Sequence, residues 1–276
     1  MGAATGVALV AGEGSPRIRT VTATRYVTPL REGGSLPAII EADDDGLYVL
    51  KFHGAGQGRR ALIAELVAGE IARVLGLLVP EIVLVELDTA LGRSEPDYEI
   101  RSLINASGGL NLALDYLPGS TAFTPALRPL PGSDIASAIV WFDALIMNVD
   151  RTARNTNMLM WHRALYVIDH GASLYFHHTW TDYMERSRVV FPQIVEHVLL
   201  PYAARLREAD GVFAPVLTED VLEGVVELIP DVWLTDVSQF VTPADHRAAY
   251  LAYLVNRLEG PRLWVEHAME AHARVV

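Results

Sequence analysis

The stretch from Trp141 to Gly171, WFDALIMNVDRTARNTNMLMWHRALYVIDHG, constrains the chain more than any other part of it. Its apolar start predicts a helix that breaks at Asn148-Val149-Asp150-Arg151. Asparagines follow at Asn155 and Asn157, and two short strand-like runs close on Ile168-Asp169-His170-Gly171. A loop followed by a hairpin returns the chain to where it left, so Asp150, Asn155 and Asp169 are expected at one place. Taken singly, an Asp-Arg pair is a solvated pair and an asparagine a turn former; only the ordered set carries an argument. Its oxygens suit Mg²⁺, which takes an octahedral oxygen shell and is held by few carboxylates together with phosphates. Phosphoryl transfer from ATP needs a carboxylate beside the attacking hydroxyl, an amide or carboxylate on the metal, a second metal-binding aspartate and a cation on the phosphates. Asp150, Asn155 and Asp169 supply the first three.

The five-residue step from Asp150 to Asn155 equals the step from Asp to Asn in the protein-kinase loop HRDxxxxN. Asp169 ends the strand-like ALYVID, where the aspartate of a DFG segment stands. With these residues NxDRxxxN and IDHG, the chain resembles the HipA-like kinases, and more distantly the phosphoinositide lipid kinases, from about Arg25 to about Phe176. It looks closest to a short branch, the HipA toxins being longer. The resemblance implies an α+β, two-lobed protein-kinase-like fold with a β-rich N-lobe and a mainly helical C-lobe. It also implies ATP with Mg²⁺ and transfer to a serine or threonine hydroxyl. On matching positions it makes Asp150 the catalytic aspartate, Asn155 and Asp169 the metal ligands, and Lys51 the phosphate-binding lysine.

Taken in order, residues 1–18 are small and without period, and are expected to be a mobile end. Three strand-like runs follow, IRTVTATRYVTPL, PAIIEA and LYVLKF, with turns at Arg31–Ser35 and Asp43–Gly46. Gly33, Gly34 and Ser35 stand where kinases cover the phosphates, although Gly-Gly-Ser is equally an ordinary hairpin loop. Lys51 ends the third run and is the one lysine among 22 formal cations.

The glycines of HGAGQGRR invite a dinucleotide-binding reading, but the third glycine of GxGxxG falls on Arg59. The loop reads instead as a strand-to-helix connection, with Arg59 and Arg60 facing nucleotide or acceptor. In the helix ALIAELVAGEIARVLG, closed by Gly76, Glu65 stands eleven residues before Gly76, the spacing of the family's Glu…LGxxxP run. It is expected to orient Lys51; Glu70 is the competitor.

EIVLVELD, YEIRSLI and NLALDYL read as further strands, ending in Pro118-Gly119. The resemblance makes Asp115, Tyr116 and Leu117 the hinge that bonds adenine through backbone groups, and a lobe boundary is expected there, with an N-lobe over 19–118 and a C-lobe over 119–276.

Ser133 is expected to N-cap a helix with Ile135, Ile139, Phe142 and Ile146 on one face, Asp143 having a solvent or structural hydrogen-bonding role. Arg151 either neutralises phosphate charge or pairs internally. His177 and His178 are adjacent and read as no zinc site. FPQIVEHVLLPYAARLREADG, a helix capped at Thr218, one opened by Thr242-Pro243 and PRLWVEHAMEAHARVV complete a helical end.

A formal net charge of −12 opposes broad nucleic-acid binding, which rests on Lys and Arg against phosphates. No apolar run approaches the roughly 18 residues of a membrane span. MGAATGVALVAGEGS lacks a basic signal-peptide start, and there is no cysteine, so a cytoplasmic protein is expected. The acceptor is expected to be a protein. Two rivals remain: a small-molecule kinase of the aminoglycoside type, against which Asn148 speaks by replacing the histidine of a His-x-Asp loop, and a pseudokinase acting as an interaction module.

Overall fold

A computed structural model of the chain describes residues 18–30, 36–126, 128–235 and 239–276. The end expected to be mobile, but for Ile18, and the Gly33-Gly34-Ser35 loop lie outside the described residues.

The Thr/Val-rich run forms β1 (Thr20–Pro29), and β2 (Ala38–Ala42) and β3 (Leu47–Lys51) follow as an antiparallel meander. The β2–β3 turn holds Asp45 at φ 61°, a left-handed conformation that aspartate tolerates. After α1 (Arg59–Val74) come β4 (Ile82–Leu87), α2 (Tyr98–Ala106) and β5 (Gly109–Asp115). The five strands close into a barrel in the order β1-β2-β3-β5-β4, with β1 and β4 parallel and the other pairs antiparallel. Alternation sends Tyr48 and Leu50 into the barrel core with Ile40, Val83 and Ala113, and leaves Val49 and Lys51 on the other face.

YEIRSLI, expected as a strand, is α2. Asp97 accepts the Glu99 N–H at 2.9 Å as its N-cap, and Ile100 and Ile104, one turn apart, both enter the barrel core. The decisive spacing is four, not two.

Helix α1 ends as expected at Gly76, which has φ 76°. The Leu77 N–H reaches Ala72 O at 2.9 Å and the Gly76 N–H reaches Arg73 O at 3.0 Å, the two bonds of a Schellman cap. The helix is buried along most of its length because it lies between the outer face of the barrel (Ile82, Leu112, Leu114) and the helical half. A Cβ on Gly69 would stand 2.5 Å from Ile82 Cδ1, so a larger residue here would push the end of that side chain aside.

Beyond β5 the chain forms β6 (Thr121–Ala122), α3 (Ser133–Ile146), β7 (Met158–Trp161) and β8 (Ala164–Val167). β7 and β8 make the expected hairpin, and the Val167 N–H bonds Leu78 O at 2.9 Å, tying it to the exit of α1. Then follow α4 (Tyr183–Ser187), α5 (Leu206–Phe213), α6 (Glu219–Val226), α7 (Pro243–Leu258) and α8 (Leu263–Val275).

Thr218 caps α6, and Thr242 and Asp245 form a capping box with Pro243 at the start of α7. Two expectations fail. The cap of α3 is Gly132, not Ser133, because the Ala136 N–H already bonds Gly132 O at 3.0 Å. The segment from Phe191 is no continuous helix: it holds short 3₁₀ turns at Pro192–Glu196 and Leu200–Tyr202, and only Leu206–Phe213 is α-helical. Pro201 lacks an N–H and its ring would clash with the carbonyl of His197, four residues before it. Helix α3 is buried on all sides from Ala136 to Ile146, so it is the axis of the helical half and not an amphipathic surface helix. None of the described helices is long and apolar enough to cross a membrane.

Candidate active site

Lys51 leaves the end of β3 on the face away from the barrel core, toward α1. Its Nζ lies 2.6 Å from Glu65 Oε2 and 2.6 Å from Asp169 Oδ1. Glu65 is fully buried on α1 and also accepts the His170 backbone N–H at 2.9 Å. Glu70, the competitor, pairs with Arg73 of its own helix at 3.2 Å. Asp169 stands at φ 60°, a left-handed conformation open to aspartate at modest cost. Its side chain is 45% exposed against 0% for Glu65, so Lys51 has one buried partner and one open to solvent. His170 is buried edge-on against Phe142 of α3.

Burial alone would raise the Glu65 carboxyl, but the Lys51 ammonium and His170 outweigh it and hold its pKa at about 2. Burial likewise lowers the Lys51 ammonium, and Glu65 and Asp169 outweigh it and raise the group above its usual value. A depressed carboxyl pKa gives stability that is complete above the ordinary glutamate value and is lost as pH falls. Acid unfolding of the parent is therefore expected to steepen between the ordinary value of 4.5 and about 2. Glu65→Gln should lose that limb and Glu70→Gln keep it, as followed by circular dichroism.

The loop carrying Asp150 is built on Asp143, fully buried on α3. Asp143 accepts from Asn148 Nδ2 (3.0 Å), Arg151 Nε (2.5 Å), Arg151 Nη2 (3.3 Å) and His197 Nε2 (2.8 Å). Burial would raise this carboxyl; Arg151 and His197 hold it well below the usual carboxylate range. Asn148 in turn accepts the Asp150 N–H at 3.1 Å. Arg151 Nη1 donates to Asn157 O and, at 3.3 Å, to Ile168 O. Of the two roles open to Arg151 the structure shows the internal pair, and one guanidinium links the loop to the residue before Asp169. Asp150 Oδ2 accepts from Asn155 Nδ2 at 2.9 Å and Asn157 Nδ2 at 3.4 Å. Asp143 thus has the structural hydrogen-bonding role, not the solvated one.

Arg257, buried on α7, closes the end of α3: its guanidinium donates to Ala144 O and Leu145 O at 2.6 Å and to Ser187 O at 2.9 Å. His197 and Arg257 had no local signal in the sequence, because each acts on a residue far away in the chain.

At the end of β5 the Asp115 N–H bonds Glu81 O at 2.8 Å and the Tyr116 N–H bonds Leu47 O at 2.9 Å. Burial and the Glu81 carboxylate raise the Asp115 carboxyl. Leu117 is buried, and its carbonyl accepts the Ser120 N–H at 3.2 Å. Arg59 reaches Thr235 Oγ1 at 3.3 Å. His177 is buried with Nδ1 3.0 Å from the Tyr250 hydroxyl, and His178 is half-buried beside it.

The fold is similar to that of the Helicobacter pylori proinflammatory kinase CtkA, with a TM-score of 0.56 at 11% identity, over 94% of this chain and 99% of that one. It is also similar to the Golgi casein kinase with Mn/ADP bound, with a TM-score of 0.53 at 14% identity, over 94% of this chain and 75% of that one. No curated protein matches the chain in sequence. The sequence model of the HipA-like kinases matches residues 24–267, and the chain therefore belongs to the HipA-like kinase family.

Proposed function

We propose that this phosphotransferase moves the γ-phosphoryl group of ATP, with Mg²⁺, to a serine or threonine hydroxyl of a protein. The observation that carries the reading is the double pairing of Lys51 with Glu65 and Asp169 at 2.6 Å, linked through Arg151 to the loop where Asp150 meets Asn155. The donors fit a divalent cation. Asp169 commits only Oδ1 to Lys51, and Asn155 turns its Nδ2 to Asp150, leaving its carboxamide oxygen without a hydrogen bond among the described residues. A carboxylate and an amide oxygen suit an ion that completes its shell with phosphates and water. That such a fold accepts nucleotide and metal is supported by the Golgi casein kinase, seen with Mn/ADP.

Asp169 and Asn155 would hold the ion, which neutralises charge on the phosphoryl oxygens. Lys51, kept in place by buried Glu65, binds the phosphates. Asp150, its carboxylate steadied by Asn155 and Asn157, orients the acceptor hydroxyl and takes its proton. The backbone of Asp115–Leu117 takes the adenine, and Gly33, Gly34 and Ser35 cover the phosphates. In this division 19–118 is the nucleotide-binding lobe and 119–276 carries the catalytic loop and acceptor surface.

The test is incubation with γ-labelled ATP and Mg²⁺ alongside mixed protein acceptors, sugars and aminoglycosides. Label is expected on protein serine or threonine, the chain itself included. Label on a small alcohol alone would overturn the protein acceptor. Nucleotide binding with no transfer to anything would favour an interaction module.

A further inference from the structure

We infer that His197 is a positioning residue for the transfer step, clamping the catalytic loop from the helical half of the chain. The inference rests on the phosphotransferase reading above for its effect on rate, and on geometry alone for the clamp itself. His197 Nε2 lies 2.8 Å from Asp143 Oδ2, 54 positions away in sequence. The Leu199 N–H donates to its Nδ1 at 3.0 Å. With the Leu199 N–H on Nδ1, Nε2 is the nitrogen left to donate to the Asp143 carboxylate.

The same residue forms an antiparallel bridge with Thr152, and the Val198 N–H bonds Arg151 O at 3.1 Å. The two residues after Asp150 are thus held along their backbone by His197 and Val198. Asp143, the side-chain anchor of Arg151, is held by the same imidazole.

The placement has a local cause. Pro192 and Pro201 bracket the segment and deny it a continuous helix, and His197 takes the extended conformation (φ −64°, ψ 126°) that a bridge needs. The residue is 5% exposed, so its removal takes from buried Asp143 a hydrogen bond made inside the protein. Arg151 would then share Asp143 with Asn148 alone, and Arg151 is the side chain that reaches both Asn157 O and Ile168 O. Loosening His197 therefore loosens the loop that carries Asp150, while Asp169 keeps its pair with Lys51, and Glu65 and the hinge are untouched. The expected signature is a loss in kcat with KM for ATP nearly retained, because Lys51, Glu65 and Asp169 keep their mutual pairs while Asp150 loses its place.

The experiment compares His197→Ala, His197→Gln and Ile194→Ala with the parent in the full chain. Ile194 is a buried apolar neighbour on the same segment, so its truncation loosens packing without breaking a polar link. Rates are read as ADP release from Mg·ATP with the mixed protein acceptors present, the phosphoryl group passing to their hydroxyls, at a temperature where each variant is folded by circular dichroism. Amide hydrogen exchange is read over Arg151–Asn157.

His197→Ala is expected to lose about 10- to 100-fold in kcat, the cost of a small misplacement at a reacting centre, with KM for ATP within about twofold. His197→Gln, which keeps a donor and an acceptor on one side chain, should recover part of it. Ile194→Ala should keep kcat. Exchange over Arg151–Asn157 should quicken in His197→Ala beyond Ile194→Ala. Equal kcat in the two alanine variants, or equal exchange in this loop, would overturn the inference. A parent that releases no ADP would count against the phosphotransferase reading, and the exchange comparison would still decide whether His197 is the clamp.

Discussion

Asp150→Asn is expected to lower phosphoryl transfer by about 10²- to 10⁴-fold, the range for loss of a positioned general base, while binding of Mg·ATP stays near that of the parent. The substitution removes a charge and a proton acceptor and little else. Asp150 takes its place from the backbone, through the bond of its N–H to Asn148 at 3.1 Å, and that bond survives. Its carboxylate makes no ion pair with Lys51, whose partners are Glu65 and Asp169. The nucleotide-side network is therefore intact in the variant. Asn155 and Asn157 would donate to the remaining carboxamide oxygen. Single-turnover transfer measured with binding by calorimetry checks the split: a parent-like rate would remove Asp150 from the mechanism, and a matching loss of affinity would place it among the nucleotide ligands.

Asp169→Asn is expected to act on binding itself. Transfer should fall by about 10²-fold or more, since several kcal/mol of charge stabilisation by the bound ion is at stake. The magnesium-dependent part of ATP binding should disappear with it. Asparagine is the right replacement because it also tolerates the left-handed backbone that holds residue 169 at φ 60°. Lys51, 12% exposed, keeps its buried partner Glu65, and the Asp169 side chain is 45% exposed, so the fold is expected to lose less than it would with Glu65 removed. Loss of ligand response can then be read without a large change in the unliganded protein.

The fold was legible where local chemistry decides it. Gly76 closes α1 by a Schellman cap and Thr242-Pro243 opens α7 with a capping box, and both signals lie within a few residues of the boundary they set. The β7–β8 hairpin announced itself by two short runs of strand-forming residues. YEIRSLI misled because its charged and apolar residues also alternate; Ile100 and Ile104 plug the barrel only as one face of a helix. The segment after Phe191 misled because its apolar spacing suits a helix, while two prolines and the bridge to Thr152 forbid one.

For the candidate site, spacing brought out Asp150, Asn155 and Asp169, and left Glu65 and Glu70 both open. Five positions apart on a helix, those two acids point about 140° from each other, and Lys51 meets Glu65. What no spacing could reveal is the polar frame beneath the loop. Asp143, His197 and Arg257 join residues tens of positions apart, through hydrogen bonds whose partners are set by the packing of α3 against the rest of the helical half.

The central claim, a Mg·ATP site between Lys51 and Asp169, is tested most directly by thermal denaturation of the parent and Asp169→Asn, each with and without ATP, in magnesium or in EDTA. A ligand at about 100 times its Kd stabilises the native state by about 2.7 kcal/mol, and each kcal/mol moves the Tm of a chain of this size by about 2–4 °C. The account predicts a rise of several degrees for the parent with ATP and magnesium, absent in EDTA and absent in Asp169→Asn. No rise in the parent at millimolar ATP, or an equal rise in the variant, would contradict it.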